Sequence, residues 1–384
     1  MTITAVPATA LRRPHRPLLA CTAAMGVLAV FCLGAMVVDH RQLLGESVWL
    51  KPFKFGLAFL LYAGTLAWLL SLPHRGSRAT WWLGTVFAVT GFVDVGFVVV
   101  QAARGTFSHF NADSTDRVNE IGQMVFASGV PGLFVANLLI VLILSWQRLL
   151  DRPTSRAIHA GLALAVAGMA LGYLMGFTGE QTVRDTDGRA LQLSAGHTVM
   201  RSAPPVRDGV DTMPITHWST GGGDLRVPHF AGLHGIQVLL AAVVALAWLA
   251  RRHPWLTERA RARLIGVLAI GYAGMLALLL RQALRAQPLF RPDAATALTA
   301  TALGALTLAA AAGVVLRARR AAGSPECGVP ARFSALAEGG EALHRVAVGY
   351  EVVEQVGGAA DRAVGGGGGV GAGHEGQGRA DGDG

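Results

Sequence analysis

Two lysines, Lys51 and Lys54, stand three residues apart at the mouth of an apolar stretch, and every other basic residue among the 33 is arginine. An ammonium is a compact, strongly hydrated charge that responds to desolvation, unlike a guanidinium. A lysine pair in an arginine-rich chain therefore points to a site that needs that chemistry. Asp94 is the single charge in the apolar segment Trp81–Gln101. His229, His234 and Gln237 fall within another such segment, and Arg281 closes a third. Ionisable groups at membrane depth are costly and generally face a bundle interior or a water-filled cavity. Lys51, Lys54, Asp94, His229, His234, Gln237 and Arg281 are accordingly the candidate ligand-binding residues. In the competing view Lys51, Lys54 and Arg281 snorkel to headgroups, while Asp94 neutralises a neighbouring base.

No metal is expected. On a regular helix His229 and His234, five apart, point about 140° from one another. His197, His217 and Asp224 lie near them in sequence, but neither an HxxxH nor a CxxC spacing is present. Gly221–Gly223 lacks the strand and Lys-Ser/Thr of a phosphate loop, and no Ser-x-x-Lys or Gly-x-Ser-x-Gly box occurs. Cys21, Cys32 and Cys327 form no disulfide framework. Catalytic residues and cofactors are not indicated.

The elements that must hold these residues are apolar. The 384 residues are 52% hydrophobic and 15% charged, with mean hydropathy +0.45. A helix needs about 20 apolar residues to cross a hydrocarbon core of about 30 Å. Eight stretches qualify: Pro17–Val38, Trp49–Ser71, Trp81–Gln101, Met124–Trp146, Ile158–Phe177, His229–Ala250, Leu264–Leu280 and Ala294–Leu316. The fold class expected is an all-α polytopic transmembrane bundle of about eight helices.

The charge of +9 does not mark a nucleic-acid partner, because the arginines gather at Arg12–Arg16, His74–Arg78, Arg148–Arg156, Arg251–Arg263 and Arg317–Arg320. These are alternate connections and the two flanks. That pattern places both termini in the cytoplasm of a cell (inner) membrane protein whose main partner is the lipid bilayer. Residues 1–16 form a cytoplasmic segment and 17–316 the membrane domain. The first apolar run reads as an anchor, not a removable signal. Residues 178–228 form a long outer loop of turn-rich, irregular composition, suited to a lid or binding element. Residues 317–384 are basic and then glycine-rich, a composition that cannot bury enough surface to order itself.

Depth follows from a rise of about 1.5 Å per residue: Lys54 lies about one turn below the outer surface, Asp94 about 20 Å above the cytoplasmic side, and His234 roughly 7 Å below His229. Lys54 and Asp94 are predicted to pair. His234 is predicted to face the interior with Gln237 one turn deeper, and Gly232 and Gly235 to admit a neighbouring helix closely. Glu120 and Glu180 stand at outer helix ends.

Two segments, Trp49-Leu50-Lys51-Pro52-Phe53-Lys54-Phe55-Gly56 and Gly222-Gly223-Asp224-Leu225-Arg226-Val227-Pro228-His229-Phe230-Ala231-Gly232-Leu233-His234-Gly235-Ile236-Gln237, resemble those of an uncharacterised family of multi-spanning bacterial (high-GC) integral membrane proteins. The resemblance covers most of the membrane domain and implies an integral membrane protein, with no particular activity. The residues themselves favour a carrier or sensor with an outward polar pocket for a small, anionic ligand. Lys51, Lys54 and Arg281 would supply charge, with Asp94 holding one of them. The alternative is a membrane-embedded enzyme for a lipophilic substrate, an isoprenoid cyclase or lipid-modifying transferase, with Asp94, Glu120 or Glu180 as general acid.

Overall fold

A computed structural model describes residues 13–202 and 204–323. The glycine-rich tail and Cys327 lie outside the described residues. Nine α-helices are present among those described: α1 (Arg16–Val38), α2 (Leu50–Ser71), α3 (Ser77–Ala103), α4 (Arg117–Ser145), α5 (Arg152–Gly172), α6 (Arg226–Leu233), α7 (Gly235–Ala250), α8 (Glu258–Leu284) and α9 (Ala294–Gly323). Seven are long and apolar enough to cross a membrane singly, and α6 with α7 forms an eighth candidate span bent by 45°. The sequence predicts one regular helix over His229–Ala250; the chain instead breaks at His234. Gly232 and Gly235 flank the break, and glycine's low helix propensity makes such a kink cheap. The last helix also outruns its predicted end, so residues 317–323 are helical rather than tail.

Polar side chains set several helix starts. His15 Nδ1 accepts from Leu18 N at 3.2 Å, with a proline in the first turn of α1. Asp116 accepts from Val118 N at 3.1 Å at α4, and Asp151 from Thr154 N at 3.3 Å at α5. These satisfy backbone donors that the first turn leaves unpaired.

The packing order repeats along the chain. Helix α1 packs on α2 and α3, and α3 on α4; then α5 packs on α6, α7 and α8. One apolar core joins both groups, with Leu18 and Met25 of α1, Leu66 of α2, Phe87 of α3, Ile140 of α4, Leu162 of α5 and Ile236 of α7. Glycines bring backbones together at the second group. A Cβ on Gly232 would come within 2.5 Å of Gly168 Cα, and one on Gly235 within 2.9 Å of Leu164 Cβ. The predicted close approach is therefore present, and its partner is α5. The outer faces are apolar, with Val27, Trp82, Ile270, Leu298 and Leu306 all well exposed. Contiguous apolar exposure on this scale suits lipid, not water.

The long connection after α5 departs from expectation. It begins with a 3-10 turn, Tyr173–Phe177, and then folds as a small cap instead of an irregular loop. Strands β3 (Gln181–Arg184) and β4 (Ala190–Leu193) form one antiparallel hairpin, and β5 (Thr198–Val199) pairs with β6 (Gly223–Asp224). The hairpin β1 (Gln42–Leu43) with β2 (Glu46–Ser47) adjoins them. Val183, Leu191 and Leu193 are buried against Leu44, Phe107, Phe110 and Val206. This alternation of in and out along β3 and β4 is short enough to be hidden by the surrounding Gly and Asp content. Seven ion pairs between described residues, from Arg41–Asp39 to Arg285–Asp293, all lie at this capped end. The arginine-rich connections lie at the other.

Candidate functional site

The capped end holds two adjoining cavities, a vestibule of about 300 Å³ and a deeper chamber of about 420 Å³. Lys51, His109, His197, Arg226 and His234 line both, so a cationic and imidazole-bearing seam divides them. The vestibule adds Glu46, Lys54, Asp208 and His217. The chamber adds Asp94, His229 and the rings of Phe59, Tyr62, Phe87, Phe126, Phe134 and Tyr173.

Lys51 stands in the first turn of α2, directly before Pro52. Its ammonium makes no hydrogen bond or ion pair to any described residue. Lys54, one turn on, faces the β1–β2 hairpin and binds Glu46 at 2.9 Å, with the Thr216 carbonyl at 3.5 Å. Arg226 opens α6. Its Nε donates to Asp224 at 2.9 Å, and its Nη2 donates to Asp224 at 2.6 Å and to the His217 carbonyl at 2.5 Å. Nη1 has no protein partner. Two basic side chains from different helices thus reach the seam with donor capacity unspent.

The cap holds its histidines with buried acids. Asp208 accepts from His197 N at 3.0 Å, His197 Nδ1 at 2.8 Å, Thr198 N at 3.1 Å and Gln181 Nε2 at 3.0 Å. Burial alone would raise the Asp208 carboxyl, but His197, Arg226 and the Gln181 amide outweigh it and hold the group well below the usual carboxylate range. His109, on the connection from α3 to α4, meets Phe126 edge-on at 4.4 Å. Burial, reinforced by Lys51, His197 and His229, keeps its imidazole well below the ordinary histidine range, hence neutral. Beside the vestibule, Asp211, Ile215 and His217 adopt positive φ of 47°, 68° and 52°. Non-glycine residues there carry strain that clusters at binding sites.

Of the sequence candidates, Lys51, Lys54, Asp94, His229 and His234 line a cavity. His234 stacks on Phe230 at 6.4 Å. His229 Nδ1 donates to the Gly168 carbonyl at 2.7 Å, tying α6 to α5. Two candidates fall away. Gln237 donates to Thr65 Oγ1 at 3.1 Å and so joins α7 to α2 outside either cavity. Arg281 is exposed to the surroundings and lines neither cavity, whereas Arg226 lines both. The predicted Lys54–Asp94 pair is also absent. Lys54 turns to Glu46, whereas Asp94 turns to α4, where a Cβ on Gly129 would collide with its carboxylate. Both Asp94 oxygens are buried without a hydrogen-bond partner. Glu120 pairs with Arg117 at 3.3 Å and Glu180 accepts from Gln192 at 3.0 Å, and neither lines a cavity.

No family model, curated protein or solved structure matches this chain.

Among the described residues no three His, Cys, Asp or Glu side chains group to hold a metal ion. The residues that sequence reasoning missed are Arg226, His109, His197 and Asp208. Arg226 had a signal: like Lys51 it is a basic residue in a helix-opening turn that contains a proline. His197 and Asp208 sit on the connection between α5 and α6 and His109 on that between α3 and α4, and only the folded cap brings the three together. Residues 49–56 and 222–237, the two segments that carry the resemblance, meet at this seam through Lys51, Phe55, Arg226, Phe230 and His234.

Proposed function

We propose that this chain is a multi-pass protein of the cell (inner) membrane that binds a small anionic ligand from the outer side, as a carrier or sensor. The observation that carries the reading is the unpaired Lys51 ammonium, set with the free Nη1 of Arg226 on the seam between two cavities. A half-buried ammonium with no direct acceptor is under-satisfied, and a bound anion would supply that acceptor. The neutral His109 beside them can donate one hydrogen bond to the same anion. The arginine distribution supports the outward orientation. The convergence of the two family-like segments on this seam supports membership of the family they resemble.

The test uses the full-length chain in phosphatidylcholine nanodiscs, titrated with inorganic phosphate, sulfate and acetate while thermal unfolding is followed. At least one anion should raise the midpoint in a saturable way, and Lys51→Gln should abolish the rise. If none acts, or if Lys51→Gln responds like the parent, the reading is wrong.

One observation favours a second reading. Asp94, unpartnered on the wall of an aromatic chamber, is suited to be the general acid of a membrane-embedded enzyme with a lipophilic substrate. Turnover of an isoprenoid or lipid substrate, lost in Asp94→Asn while anion binding persists, would decide for it.

A further inference from the structure

We infer that the ligand is an amphiphile whose anionic head sits between Lys51 and Arg226 and whose apolar tail lies in the aromatic chamber. The inference rests on the anion-binding reading and adds to it the chemistry of the rest of the ligand.

The two cavities share their cations. Lys51 and Arg226 face both spaces, so an anion held between them has the polar vestibule on one side and the chamber on the other. A small inorganic anion would leave the chamber empty. At about 420 Å³ it lies within the range of ordinary ligand pockets, roughly 300–1,000 Å³. Its wall is built of Phe59, Tyr62, Phe87, Phe126 and Phe134, groups that gain from covering an alkyl or isoprenoid chain. Asp94, the one acid there, is turned against Gly129 of α4. Beyond the seam the apolar rings offer an anionic head no counter-charge, which leaves the tail as the part that fits.

The chamber also has a lipid-facing flank. Ala127, Pro131, Tyr173 and Gly176 line it and are at the same time exposed on the outside of the bundle. Pro131 interrupts the hydrogen bonding of α4, and Gly172 and Gly176 strip side chains from the 3-10 turn opposite. A tail longer than the chamber can therefore run on into hydrocarbon without meeting a polar surface.

The experiment titrates the full-length chain in phosphatidylcholine nanodiscs with ethyl, butyl, hexyl and octyl phosphate, correcting for partition into empty nanodiscs. Affinity should rise about fourfold for each methylene added, the gain for burying one such group. Val130→Trp and Ala127→Phe, which narrow the chamber, should bind ethyl phosphate as the parent does and lose the chain-length gain. Equal affinity for ethyl and hexyl phosphate would leave the small-anion site standing and overturn the amphiphile. A chain-length gain that survives both narrowing substitutions, or persists undiminished in Lys51→Gln, would place the tail in the bilayer or elsewhere and overturn it too. Failure of every alkyl phosphate, ethyl phosphate included, would remove the anion site itself, and this inference with it.

Discussion

Asp94 is 4% exposed, and neither of its oxygens has a partner. Losing one member of a buried ion pair typically costs about 3–5 kcal/mol, because the other charge is stranded. Asp94→Asn strands nothing, so the variant should unfold within about 1 kcal/mol of the parent, a typical range for substitutions that break no paired group. A loss of several kcal/mol in thermal or denaturant unfolding would reveal a hidden partner. Lys54 and Glu46, at 2.9 Å and about a quarter exposed, should couple by about 0.5–1 kcal/mol in a double-mutant cycle. Lys54 and Asp94 should be additive in the same cycle. At this scale the sequence conveyed depth but not direction. Helical rise places Lys54 and Asp94 in the same half of the membrane, yet the azimuth of each side chain depends on how its helix rolls against neighbours. That roll is decided by contacts such as Gly129 on Asp94, which no local pattern announces. Arg281 lies away from both cavities for the same reason, since helix roll turns it outward.

The cap behaves as an element of its own, with Asp208 as its pin. Asp208→Ala removes the acceptor of four donors and should cost roughly 3–5 kcal/mol locally. Hydrogen exchange over 181–199 should accelerate while the amides of α2 and α3 stay protected. Two groups give the capped end successive limbs of pH dependence, both on the acid side. Asp208 is held low when folded, so its stabilisation is complete above about pH 4 and is lost as pH falls further. His109 is held neutral when folded, whereas the unfolded ring takes a proton below about pH 6.5, so stability starts to decline there. The contribution of these two groups to the unfolding midpoint should fall from about pH 6.5 and fall again below about 4. His109→Gln should diminish the first limb and leave the second unchanged. Spanning helices were legible because a bilayer demands long apolar runs with internally satisfied backbones. The cap was not, since its strands of two to four residues bury only a few side chains each. The break at His234 was equally hidden, as glycine is tolerated within a helix and bends it only where packing favours the bend.

Over the whole molecule, the paired charges gather at one end and the arginine-rich connections at the other. Reporter fusions at Arg152 and at Asp208 should therefore fall in opposite compartments, and a common compartment would invert every depth argued from the sequence. The site lies where the two packing groups meet. Lys51 comes from α2 of the first group and Arg226 from α6 of the second, each at the opening of the helix that follows its group's first span. A ligand held by both ties the two packing groups together at the cap, and whatever affinity the tie supplies is work that must be returned before the ligand leaves. Tight binding and rapid release thus oppose one another here. A chain that merely reports its ligand can tolerate a strong tie, whereas one that moves it across the membrane needs a weak one.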